Sequence, residues 1–285
     1  MAGFKRKSQI VEIWKRLKRN KLAMAGLVIL AIICLASIFA NVIAPYGIDD
    51  QELSRRFMKP CAQFPFGTDN YGRDIFSRVL YGGRESLKVG FLSAAIASTF
   101  GVILGLVAGY IGGWIDNLIM RISDVFMAIP NMLLAIAISA SLGPGIMNAM
   151  IAVSLANIPK MARVTRAAVI TQKNMEYVEA ARSIRANRAR IMVMHVLPNS
   201  LSPIIVQVTF NVASGILVAA SLSFLGLGAQ APNPEWGAML SAGRDFLRDQ
   251  PYLTLFPGLA IFFTVLSLNF VGDGLRDALD PKLKN

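Results

Sequence analysis

Apolar residues run through this chain in long uninterrupted blocks. Counting Asp, Glu, Lys and Arg as breaks, the charge-free runs are 22–48, 89–115, 125–159, 191–234 and 250–272. A membrane-crossing helix needs about 20 residues, so each run can cross once. The run 125–159 is too long for one helix, and Gly143-Pro144-Gly145 divides it with a tight turn. The pattern predicts six helical spans, near 22–44, 87–110, 117–141, 146–168, 203–226 and 252–272, behind a basic segment over 1–21. Within that segment Ile10, Ile13, Trp14 and Leu17 recur at i, i+3, i+4 and i+7. This spacing fits an amphipathic helix on a membrane surface; a solvated basic leader fits as well.

Composition agrees with a polytopic membrane protein. Of 285 residues, 54% are hydrophobic and 16% charged, more apolar surface than one soluble core requires. The net charge of +12 does not point to nucleic acid, because the bases sit between apolar runs and do not form one aromatic-interleaved face. They set orientation instead. The N-terminus carries Lys5, Arg6, Lys7, Lys15, Arg16, Lys18, Arg19 and Lys21, and the segment 160–190 carries eight bases against Glu176 and Glu179. Six spans put these two segments, and both termini, on the same side, which the positive-inside rule makes cytoplasmic. The loop 45–88 offsets seven bases with six acids, as an exported loop can. The first apolar run exceeds a signal-peptide core and is read as a retained span. Cys34, inside that run, and Cys61, in the loop, are expected to be free thiols.

Polar groups inside the runs have structural explanations. Gly101, Gly105, Gly109 and Gly113 predict a groove for close helix packing. Arg121 and Asp124 are one turn apart and are expected to pair at the membrane interface. Asn131, Asn148, Asn157, Gln207 and Asn211 must hydrogen-bond between helices or line a wet path. No phosphate-binding glycine loop, His-Glu-x-x-His or Cys-x-x-Cys occurs. No catalytic or metal site is therefore predicted, and any ATP chemistry is expected in another chain.

The basic interruption at 173–199 carries the functional expectation. Asn174 is placed to cap a short helix with Glu176 in its first turn, and Tyr177, Ala180, Ala181 and Ile184 share a face flanked by Arg182 and Arg185. Asn187 is placed to cap a second helix whose Ile191, Met194 and His195 share a face, with His195 near its C-terminal end. Pro198 is expected to halt it. Such a pair of helices can enter a groove in a cytoplasmic partner or lie on its own bundle.

Glu179-Ala180-Ala181, followed by Ile191 and Leu197-Pro198, resembles the coupling loop of prokaryotic ABC import permeases. Residues 66–74 (FGTDNYGRD), Pro234-Glu235-Trp236-Gly237 and residues 272–281 (GDGLRDALDP) resemble motifs of the dipeptide, oligopeptide and nickel permeases, the latter two of their C-type subunits. The resemblance implies an all-α, six-span subunit of a bacterial or archaeal cytoplasmic membrane, its permease domain covering 22–285. It implies a homologous second permease subunit, two ATP-binding subunits holding ATP and Mg, and an extracytoplasmic substrate-binding protein. Glu179, Ala180, Ala181, Arg182, Ile184, Arg185, Ile191, Leu197 and Pro198 would form the docking loop. Peptide is the expected cargo, with nickel the alternative, and an ATP-independent transporter or a membrane scaffold the rivals from other classes. One departure stands out: the family's glycine four residues after the second alanine is Arg185 here, so that either Asn187 takes the left-handed position or strain is tolerated.

Overall fold

The computed structural model describes residues 6–279; Lys5, Asp280 and Pro281, and the side chains of Arg6, Lys7 and Ile10, lie outside the described residues. Among these the fold is helical, with one isolated bridge between Thr68 and Asp74. The N-terminal segment forms helix α1 (Arg6–Arg19), whose Ile13 and buried Leu17 pack on Leu275 and Ala278. Asn20 then caps α2 (Lys21–Ile38), accepting from the Ala23 amide at 3.1 Å, and α3 (Ala40–Ile43) completes the first apolar run.

Helix α4 (Ile75–Ile111) starts well before the predicted residue 87. Asp74 caps it, accepting from the Ser77 amide at 2.8 Å. Arg78, Arg84 and Glu85 occupy early turns that an apolar run cannot reveal. At 1.5 Å per residue its 37 residues extend about 55 Å.

The predicted span 117–141 is not continuous. Helices α5 (Gly113–Met127) and α6 (Asn131–Leu142) meet at 88°. Pro130 lacks an N–H and displaces Ile129 from helical geometry, which breaks the span there. Gly143 and Gly145, with φ of 88° and 147°, make the turn into α7 (Ile146–Lys173). The Asn148 amide secures it by donating to the Leu142 and Gly143 carbonyls.

The basic interruption at 173–199 holds α8 (Glu176–Ser183) and α9 (Arg188–Ile191), then a widened π-type turn over Met192–Val196 and α10 (Leu197–Asn199). Helices α11 (Leu201–Phe224), α12 (Trp236–Gly243) and α13 (Tyr252–Leu279) follow. Among the described residues four helices, α2, α4, α11 and α13, are long and apolar enough to cross a membrane, and the bent α5–α6 pair counts as a fifth if taken as one span. The six predicted spans are thus not all recovered by length and composition, because α7 carries Lys160, Arg163, Arg166 and Lys173 in its second half.

Close backbone approach holds the bundle together, as expected where lipid supplies no hydrophobic drive between helices. A Cβ on Gly101 would lie 2.5 Å from Met161 Cβ, and one on Gly105 only 2.3 Å from the Ala162 carbonyl, so α4 receives α7 in a glycine groove. Gly109 continues it against Val169; Gly113 does not, having no atom within 4 Å and a φ of 61° at the start of α5. The expected Arg121–Asp124 pair also gives way. Asp124 bonds Arg163 on α7, while Asp116 accepts from Arg166 at 2.5 and 2.6 Å, so both acids tie α5 to α7. The intramembrane amides are engaged in protein: Asn131 with Asn157 at 3.2 Å, Gln207 with Asn211 at 2.8 Å and Asn211 with Met161 Sδ at 3.8 Å.

Candidate functional site

Helix α8 is amphipathic, but its two faces divide differently from the predicted grouping. Val178, fully buried, and Ala181, 7% exposed, turn inward with Ile191 and Val196 onto Leu106 and Tyr110 of α4 and Val169 of α7. Tyr177, Ala180 and Ile184 face outward, Ile184 at 80% exposure. Val178 is the anchor that motif reading passed over; its position three residues before Ala181 is the helical signal that marks it. The loop is therefore bolted to the α4–α7 pair on one face and presents a small apolar strip on the other.

Asn174 does not cap α8. It ends α7 at φ −98° and ψ 12°, and Met175, in extended geometry, precedes α8 without a side-chain cap. Glu176 and Glu179 supply the acidic first turn that the helix dipole favours. Desolvation pushes the Tyr177 phenol above its ordinary value, and the hydroxyl donates to Gln172 Oε1 at 2.8 Å.

The C-terminal end of α8 resolves the question raised by the missing glycine. The Ala186 amide donates to the Ala181 carbonyl at 3.2 Å and the Arg185 amide to the Arg182 carbonyl at 2.9 Å. These two bonds define a Schellman cap, with Ala186 packed against the apolar cluster that includes Ala181. Its left-handed residue is Arg185, at φ 56°, and not Asn187, whose φ is −59° and whose side chain caps α9 by accepting from the Ala189 amide at 3.0 Å. A non-glycine residue in this conformation costs on the order of 1 kcal/mol.

Pro198 does not halt the second helix. Leu197 keeps helical angles of −59° and −46°, and its amide reaches back five residues to the Met192 carbonyl. That wider turn makes room for the proline ring, so α9 runs through toward α11. His195 consequently lies inside this turn and does not cap a helix end. Of the predicted docking residues, Glu179, Ala180, Arg182, Ile184 and Arg185 are exposed, Ala181 and Ile191 are buried, and Leu197 and Pro198 are half-buried parts of the loop's own frame.

At the opposite end of α4 two of the other motifs, 66–74 and 234–237, converge, whereas Gly274, Leu275 and Ala278 of the third lie against Leu17 and Ala23. Asp69 accepts from the Tyr71 and Arg73 amides at 2.8 and 3.0 Å and from Arg73 Nε at 2.7 Å. Gly67 and Gly72 take φ of 78° and 75° where a Cβ would strike the Met58 and Glu52 carbonyls. Glu235 caps α12 and accepts from Ser86 Oγ at 2.8 Å, while Trp236 Nε1 donates to the Val79 carbonyl at 2.9 Å. A cleft of about 590 Å³, lined in part by Asp69, Tyr71, Arg73, Arg78, Gln230 and Asn233, opens between these motifs. Sequence reading found the motifs but not this cleft, because its walls come from two segments, 51–78 and 223–253, far apart in the chain.

A bundle of long apolar helices with an amphipathic two-helix loop at one end and a cleft at the other fits a membrane transport subunit. Over residues 101–285 the chain matches the family described as the inner membrane component of binding-protein-dependent transport systems, and it belongs to that family. Residues 8–60 match the N-terminal transmembrane domain of oligopeptide transport permease C, which places the chain among C-type permeases. It is 50% identical to a dipeptide transport system permease protein of Alkalihalophilus pseudofirmus, covering 96% of this chain and 90% of that one. A di/tripeptide permease of Pseudomonas aeruginosa is 44% identical over 98% of this chain and 94% of its own. A glutathione permease of Pectobacterium atrosepticum is 46% identical over 96% and 91%. The methionine ABC transporter MetNI, in an inward-facing conformation, shares the fold at a TM-score of 0.60, with 18% identity, covering 72% of this chain and 98% of that one.

Proposed function

We propose that this chain is the C-type membrane subunit of an ATP-driven importer of di- or oligopeptides. It works with a homologous second permease subunit, two ATP-binding subunits and an extracytoplasmic binding protein, its termini and the 173–199 loop being cytoplasmic. The observation that carries the proposal is the divided surface of α8, where Val178 and Ala181 bind the bundle and Tyr177, Ala180 and Ile184 face out. When the ATP-binding subunits close, a force on the outer face passes through Val178 to Leu106 and Val169, hence to α4 and α7 together. The glycine groove makes those two helices move as one body, and the break at Ala128–Pro130 gives α5 and α6 separate freedom. ATP and Mg belong to the partner subunits in this scheme.

The relatives named above for dipeptides, di/tripeptides and glutathione support peptide as the cargo. Uptake of labelled dipeptide and of nickel ion by the reconstituted complex separates peptide from metal transport. Ile184→Asp tests the docking. The variant is expected to reach the membrane at normal levels and to lose ATP-binding subunit on purification; full retention with normal uptake refutes the proposal. The outer face is the better target than Ala181, since a bulky residue at that buried position would damage the loop itself.

A further inference from the structure

Helix α8 ends in a conformation its own fold gains nothing by giving to an arginine. Arg185 holds φ at 56°, where glycine sits without strain. Its side chain is exposed and has no hydrogen bond or ion pair with any described residue. Arg182, Arg188 and Arg190 are in the same state, so four exposed guanidiniums without a carboxylate partner among the described residues stand within six positions of the exposed Ile184. Glu176 and Glu179 begin the helix and bridge to none of them. Two backbone bonds of the cap fix the direction in which the Arg185 side chain leaves the chain.

We infer that Arg185 is a recognition residue for the ATP-binding subunit, its guanidinium meeting carboxylates on the rim of the groove that receives Ile184. The inference rests on the docking proposed above and adds the chemistry of the partner: an apolar groove bordered by acidic side chains. A guanidinium fork matches a carboxylate in two parallel hydrogen bonds, which makes its direction matter. Anionic lipid headgroups fit less well. They are mobile and accept any cation, so they need no arginine held in a constrained turn beside an exposed isoleucine.

The test uses the membrane subunits reconstituted in lipid discs, neutral in one series and anionic in the other, with ATP-binding subunit affinity measured across a salt series. Arg185→Gly is expected to melt no lower than the unmodified complex, yet to bind the ATP-binding subunit on the order of tenfold more weakly in both lipids. Arg185→Glu should weaken it further and flatten the salt dependence, since three of the four guanidiniums remain. Unchanged affinity of both variants overturns the inference, as does a loss confined to anionic discs, which would assign the arginine to headgroups. Ile184→Asp separates the two levels. If it abolishes binding while Arg185→Glu does not, only the acidic rim is refuted; if it too binds normally, the docking itself fails.

Discussion

Replacing Gly105 by alanine is the sharpest test of how the bundle is held. The added Cβ would lie 2.3 Å from the Ala162 carbonyl oxygen, 2.7 Å from Thr165 Cβ and 2.9 Å from the Arg166 amide nitrogen. Two of these neighbours are backbone atoms of α7 and cannot rotate away. Restoring van der Waals contact requires α4 and α7 to part by roughly 1 Å at this level, against a close-packed interior. Met161, Ala162, Thr165 and Val169, all at 0% exposure, would lose contact. Overpacking of this kind costs about 1–3 kcal/mol, and the gain in helix propensity returns only about 0.5–1 kcal/mol. The expected result is a net loss centred on about 1 kcal/mol and reaching at most about 2.5 kcal/mol by that difference. Gly258→Ala supplies the control, because its Cβ would meet only Leu240 Cδ2 at 3.8 Å. It should leave stability unchanged or raise it by up to about 1 kcal/mol. Denaturant unfolding of the purified complex in mild detergent measures both. A Gly105→Ala variant as stable as the parent, or a Gly258→Ala variant equally damaged, would refute the claim that backbone approach at the groove determines the packing.

Removing the Arg166 guanidinium as Arg166→Gln leaves Asp116, at 13% side-chain exposure, without its bidentate partner, and should lower stability by about 1–3 kcal/mol in the same assay. Arg163→Gln at the half-exposed Asp124 pair should cost less than about 1 kcal/mol, since solvent screens it. Trp236→Phe forfeits the indole bond to the Val79 carbonyl at a site 1% exposed and is expected to cost about 0.5–1.5 kcal/mol, because that carbonyl keeps its partner within α4. Arg185→Gly should raise stability by up to about 1 kcal/mol through relief of the left-handed arginine; a loss would show that the cap depends on the side chain.

Charge-free runs, basic clusters and short motifs determined much of this protein by themselves. They marked the apolar helices, the separate loop at 173–199 and the class of transporter, because burial in lipid demands long uncharged segments and leaves few alternatives. The glycines at 101, 105 and 109 announced a close helix contact for the same reason. Only the tertiary structure decided which groups meet. Asp124 reaches Arg163 across 39 positions in preference to Arg121 three residues away, since α5 lies against α7. Val178 and Ala181 took the inner face of α8 because Leu106 and Val169 stand beneath them. Periodicity can state that a face exists, but not which neighbour claims it. Arg185 combines both limits: its identity was plain in the sequence, while its left-handed cap follows from two backbone bonds that form only when α8 ends against Ala186.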